Sequence, residues 1–170
     1  MVVSVDDWLP FTGNNLAFSG VSEDGGLWGP FIEKAFAKSN GNYENIQAGD
    51  PAEALEYLVG APSMRYVIAD TASINNDPNI AWNLISDGDQ KSYIMTCTTG
   101  GGPDTTYNSF HLVNGHAYSL LDTFELKNAK GTVDYQIYAV RNPWGSDANF
   151  VGQFSRTAAI WKNKGNTYAK

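Results

Sequence analysis

Two stretches of this chain, Ala117 to Leu126 and Val133 to Arg141, are rich in Tyr, Val, Ile, Phe and Leu and are separated by the turn-prone run Lys127, Asn128, Ala129, Lys130, Gly131. Such side chains suit a pleated, half-buried surface, and a short connector bearing Asn and Gly folds the second stretch back on the first. The pattern predicts an antiparallel β-hairpin. In such a pair, residues equally far from the turn face each other. His116 and Asn142 are equally far from Ala129, so the expected register makes them cross-strand neighbours, roughly 5 Å apart at Cβ. An imidazole nitrogen held against a side-chain amide oxygen is fixed in one tautomer and orientation, which is how a general base is made ready for a nucleophile. A lone histidine at a strand start is more often structural, but its neighbours weigh the other way. Gly115 lets the backbone pass closely, Pro143 stops the second strand just after the asparagine, and Trp144 brings a ring large enough to cover the pair from water.

The remaining residues must supply a core for this hairpin. With 170 residues, 42% hydrophobic and 17% charged, the chain reads as a single globular domain, 1–170, well outside the disordered class. A formal charge of −7 and a pI near 4.6 leave no basic stripe to displace phosphate counterions, so nucleic acid is not an expected partner. No 18-residue apolar run occurs, so no transmembrane helix is expected. The opening MVVSVDDWLP carries acids where a secretory leader carries basic residues. One cysteine, Cys97, excludes an internal disulfide and fits a reducing cytoplasmic or other intracellular location.

Along the chain, Val2 to Val5 reads as an edge strand stopped before Pro10. From about Leu27 to Ser39, Trp28, Phe31, Ile32, Ala35 and Phe36 recur at helical spacing, Glu33, Lys34 and Lys38 look like a solvated face, and Asn40-Gly41 supplies the stop. Asp50-Pro51-Ala52-Glu53 is a helix start with proline at the first position, and Gly60-Ala61-Pro62 ends that helix. Arg65 to Ala69 suggests a brief strand, Ile80 to Ser86 one or two helical turns, Ser92 to Thr99 a strand opening into Gly100-Gly101-Gly102-Pro103-Asp104, and Phe150 to Ile160 a last strand region. Helices early and antiparallel strands late make an α+β fold.

Several of these segments together resemble one family. LVNGHAYSLL (112–121) followed by YAVRNPWG (138–145), then Gly152-Gln153-Phe154-Ser155 and a later Trp, is similar to the second catalytic subdomain of calpain-type cysteine proteases. VVSVDDWLPF (2–11) and LWGPFIEKAFAKSNGNY (27–43) extend the likeness over nearly the whole chain. The resemblance implies a papain-like second lobe with antiparallel sheets, a barrel-like core and a few helices near the N-terminus. It implies that His116 is the general base and acid, that Asn142 orients its ring, and that Trp144 shields the site and packs at the cleft. The nucleophilic cysteine would stand on a preceding, cysteine-bearing subdomain of the same parent chain, with a protein or peptide as substrate.

Cys97 is the tempting substitute. It sits mid-strand with no basic residue beside it to lower its pKa, and in the family pattern it resembles a structural cysteine. The isolated chain is therefore expected to be inactive. His111, five residues before His116, reads as a loop histidine because no Cys or acidic partner stands at ligand spacing. The glycine run before Pro103 is a candidate cleft-rim or gating loop. Calcium-dependent members hold the ion with acids just after RNPWG and with a later acidic loop. Here only Asp147 and Asn149 match the first set, as weak candidates, and Arg156 replaces a later acid, a cation where an oxygen ligand is needed. No cofactor is expected in this chain, although the parent protein could use calcium. The alternative is a non-catalytic calpain-like protein-binding module that keeps His116 and Asn142 as structure. The residue at the nucleophile position of the upstream subdomain separates the two.

Overall fold

A computed structural model describes residues 2–68, 78–146 and 150–161. The chain divides into two compact units, Met1–Ser63 and Met64–Lys170. The fold is α+β, with three helices and two antiparallel sheets among the described residues.

In the first unit a two-residue pair, β1 (Phe11–Thr12) and β2 (Asn15–Leu16), is followed by α1 (Trp28–Ser39) and α2 (Pro51–Val59). The sequence signals for α2 are realised atom by atom. Asp50 accepts the Ala52 N–H at 2.9 Å, Pro51 opens the first turn, and Gly60 stops the helix in the left-handed conformation at φ 69° while its N–H reaches the Glu56 carbonyl. Phe18 stacks on Tyr43 at 4.4 Å and Phe36 meets Tyr57 edge-on at 5.3 Å.

Two expectations for this unit are corrected. Val2–Val5 forms no strand; lysines instead hold one of its carbonyls and those just after it, Lys38 donating to the Ser4 carbonyl at 2.6 Å, and Lys34 to the carbonyls of Asp6 and Trp8 and to the Asp6 carboxylate. Those bonds also overturn the solvated-face reading of α1. Glu33 accepts the Ser19 N–H at 2.8 Å, and the Lys34 side chain is only 17% exposed, whereas Trp28 and Ile32 lie open. An ammonium with three donors can crosslink a strand-like segment that has no sheet to join.

The second unit holds α3 (Pro78–Gln90), β3 (Met95–Thr98), β4 (Ala117–Lys127) and β5 (Val133–Arg141). The strands form one antiparallel sheet in the order β3-β4-β5. The hairpin stands at the residues its sequence indicated, and Asn128 closes its turn, accepting from the N–H groups of Lys130 and Thr132 while Gly131 takes φ 82°. Trp82, Val113, Tyr118, Leu120 and Leu126 are buried, and the Trp82 ring lies 5.4 Å from Tyr138. Asp89 ties the end of α3 to β4 by accepting from both the N–H and the hydroxyl of Thr123, at 2.9 and 2.7 Å.

Here too the structure revises the sequence reading. The sheet is open, with three strands among the described residues, where a barrel-like core was expected. The helix expected over Ile80 to Ser86 is longer. Arg65 to Ile68 is exposed and takes no strand conformation, and Ala69 lies outside the described residues. The strand expected over Phe150 to Ile160 is instead a series of tight turns ending in a single 3₁₀ turn, Ala159–Trp161. Ser155, Ala158 and Trp161 each donate to the carbonyl three residues back, and the turns wrap Phe154, which packs 5.1 Å from Tyr135 and 6.0 Å from Trp161. Packing one half-buried ring against Tyr135 and Trp161 goes with a more tightly curled backbone than an extended strand has.

Candidate functional site

His116 precedes β4 and Asn142 follows β5. The two side chains meet: Nε2 of His116 lies 2.9 Å from Oδ1 of Asn142. The route differs from the expected one. Near the turn, Leu126 pairs with Tyr135 and Asp122 with Ala139, but beyond a β-bulge at Leu121 the pairs are Leu120 with Val140 and Ser119 with Arg141. Continued by one step, Asn142 lines up with Tyr118, so His116 is its diagonal neighbour, two residues further along the same face. Diagonal neighbours lie roughly 7–8 Å apart at Cα, within reach of an imidazole and a carboxamide together.

The bulge is what puts them on that face. The pair next to the turn, Lys127 with Val133, already has the register seen at the site, and a first shift after Leu126 moves the middle of the hairpin out of it. Without the extra residue at Leu121 to restore it, Asn142 would align with Ser119 and His116 would fall on the opposite side of the sheet, because side chains alternate with period two.

The carboxamide is held on every side. Its Oδ1 also accepts the Trp144 N–H at 3.0 Å, its Nδ2 donates to the Ser146 carbonyl at 3.1 Å, and Gly145, at φ 72°, bonds back to the Asn142 carbonyl. A backbone N–H on one end and a carbonyl on the other allow only one orientation of the amide. Since Oδ1 accepts, Nε2 of His116 must be the donor, and Nδ1 is the nitrogen that carries the lone pair.

Two rings complete the setting. Trp144 lies 4.4 Å from the imidazole and is itself 54% exposed, and Tyr118 meets the imidazole edge-on at 4.9 Å. The sequence pointed to His116, Asn142 and Trp144, and the structure brings the three together.

Tyr118 and Thr99 were not singled out in the sequence, which offers no signal for either beyond a strand tyrosine and a threonine before glycines. The Tyr118 hydroxyl accepts the Val113 N–H at 3.0 Å, bracing the loop ahead of the histidine. Gly115 sits at φ 55°, and a Cβ there would collide with the Gly102 carbonyl, so the glycine run packs directly against the turn that delivers His116. His111 lies in a left-handed turn at φ 59°, with Asn108 accepting from the neighbouring N–H groups of Phe110 and Leu112.

Cys97 pairs with Tyr118 across β3 and β4. Burial pushes its thiol above the ordinary cysteine value, the reverse of what a nucleophile needs. Asp147 and Asn149 lie outside the described residues. Among the described residues no three His, Cys, Asp or Glu side chains gather in a way that could hold a metal, and Arg156 is exposed.

The sequence comparison decides the family. The model of the calpain family of cysteine proteases matches residues 1–169. The chain belongs to the calpain family. Its relatives include the calpain-2 catalytic subunit of Gallus gallus, 30% identical over 162 residues that cover 94% of this chain and 22% of that protein. Calpain-A of Drosophila melanogaster is 28% identical over 166 residues, covering 94% of this chain and 19% of the relative. The calpain-type cysteine protease ADL1 of Oryza sativa subsp. japonica is 28% identical over 166 residues, or 96% of this chain and 7% of the relative. The chain thus spans less than a quarter of the length of these calpains. Among the described residues no helix is long and apolar enough to cross a membrane.

Proposed function

We propose that this chain is the His/Asn-bearing part of a calpain-type cysteine endopeptidase, with His116 as general base and acid and Asn142 as the residue that orients it. The observation that carries the reading is the 2.9 Å contact between Nε2 and an amide oxygen whose orientation is dictated by two further hydrogen bonds. In this arrangement Nδ1 takes the proton from the cysteine thiol of a partner subdomain within the same parent chain. The resulting imidazolium stabilises the thiolate, which attacks the substrate carbonyl. The imidazolium then passes its proton to the departing amine, leaving an acyl-thioester. Water, deprotonated by the same Nδ1, releases the acid and restores the thiol.

Asn142 holds the ring in the tautomer that leaves Nδ1 basic, and Trp144 covers the hydrogen bond from water, where competition would weaken it. Proton transfer of this kind is worth roughly 100-fold to 10,000-fold in rate.

The chain by itself is proposed to be inactive, because its only thiol is the pKa-raised Cys97. Calcium, if the parent uses it, has Asp147 and Asn149 as its weak candidates in this chain, and the single cysteine favours an intracellular site of action. The test is a comparison on a fluorogenic peptide. The isolated chain should give no turnover with or without millimolar calcium, and the cysteine-bearing parent should hydrolyse the peptide and lose activity on His116→Ala. Turnover by the isolated chain that disappears on Cys97→Ala would overturn the assignment.

A further inference from the structure

We propose that Thr99 is a positioning residue for His116, its hydroxyl standing in for a backbone carbonyl at the last rung of the β3–β4 ladder; this rests on reading His116 as the general base. The β3–β4 ladder ends at Thr98 paired with Ala117, so Thr99 and His116 are the next pair. In a hydrogen-bonded antiparallel pair both residues exchange N–H···O bonds. One of these is present: the Thr99 N–H donates to the His116 carbonyl at 2.9 Å. The reciprocal bond goes to the side chain, with the His116 N–H donating to Thr99 Oγ1 at 3.1 Å.

The same hydroxyl donates its proton to the Val113 carbonyl at 2.5 Å. One side chain therefore bonds both ends of the Val113–His116 turn, whose apex is the left-handed Gly115.

The substitution frees the backbone at Thr99 to leave the sheet. If its carbonyl closed the rung, the chain would continue in strand geometry past Gly100, and the glycine run could not fold over to bring the Gly102 carbonyl against Gly115. The hydroxyl lets the sheet end at Thr99 while the Cα of His116 stays pinned as if the sheet continued. The Val113 N–H, bonded to the Tyr118 hydroxyl, closes the turn from its other side. Pinning the Cα keeps Nε2 in reach of Asn142, so Thr99 acts on the ring through the backbone without touching it.

The test reads the ring directly in the 170-residue chain labelled with ¹⁵N-histidine, at a pH where His116 is neutral. Nitrogen shifts give the ratio of the Nε2–H to the Nδ1–H tautomer. Thr99→Ser keeps the hydroxyl and should leave the ratio within about twofold of the original, while Thr99→Val keeps the shape without the hydroxyl and should lower it roughly threefold to tenfold, the effect of one hydrogen bond. In an Asn142→Ala background Thr99→Val should change nothing further.

An unchanged ratio in Thr99→Val overturns the proposal. Should that variant not fold, amide exchange on the unaltered chain reads the same bond: a His116 N–H protected like that of Tyr118 supports it, and one exchanging at the rate of an open loop overturns it. Neither readout uses hydrolysis. A ring that responds to Thr99 in a parent without peptidase activity overturns the protease reading alone, and an active parent with an unresponsive ring overturns the role of Thr99 alone.

Discussion

Cys97 stands on one strand and His116 just before the start of the next strand of the same sheet, yet the sheet treats them in opposite ways. Cys97 lies in the middle of β3, paired with the buried Tyr118, and its surroundings hold the proton on sulfur. His116 lies where the ladder ends, and side chains from two separate segments, Thr99 from one and Asn142 and Trp144 from the other, are gathered around it. The middle of a sheet offers a side chain burial and little else, because the backbone groups there are consumed by the ladder. At a strand end the backbone groups are still to be satisfied, and the side chains that satisfy them hold the histidine in place. On the proposed roles, the general base sits at the frayed edge of a rigid element and the structural thiol within it.

The largest effect that follows separates the two residues by activity. In the cysteine-bearing parent, His116→Ala should lower kcat/KM by roughly 100-fold to 10,000-fold, whereas Cys97→Ala should leave it within about twofold; comparable losses in both would erase the contrast. Asn142→Ala comes next. It removes one hydrogen bond to a ring that is charged during catalysis, so kcat should fall about tenfold to a hundredfold with KM little changed, as seen in steady-state kinetics.

Gly115→Ala probes the turn. A left-handed alanine costs about 1–3 kcal/mol in backbone strain, and the collision with the Gly102 carbonyl adds to it, so the urea midpoint should drop and the His116 resonances shift while Cys97 keeps its environment.

The smallest effect concerns the thiol itself. Because burial raises its pKa, Cys97 is more fully protonated than a free cysteine at pH 8, and iodoacetamide should modify it more slowly in the folded chain than after denaturation. Because the folded chain holds this proton more tightly than the unfolded one, its contribution to stability is full below the unfolded-state value and is lost as the pH climbs through the folded-state value. Faster alkylation in the folded state would show Cys97 to be activated.

Much of the scaffold was legible because its causes are local. Asp50, Pro51 and Gly60 bound a helix through their own backbone preferences, and Asn128 with Gly131 turn the hairpin within a few residues. The two lysines of α1 were misread for the opposite reason: Lys34 and Lys38 look like any solvated pair until a distant segment, Ser4 to Trp8, offers carbonyls to bind. Phe150 to Ile160 failed likewise, since its turns go with one ring packing on Tyr135.

The site divides in the same way. Residue types, order and turn position were enough to bring His116, Asn142 and Trp144 to one end of a hairpin, since strand alternation and turn chemistry are written in neighbouring residues. The pairing that sets His116 diagonal to Asn142 was decided only in three dimensions, by the two register shifts at Leu121 and after Leu126, and on the proposal above by Thr99 closing a rung with its side chain. A bulge and a side-chain substitute for a carbonyl depend on how whole strands slide and end against one another, and no short stretch of sequence carries that balance.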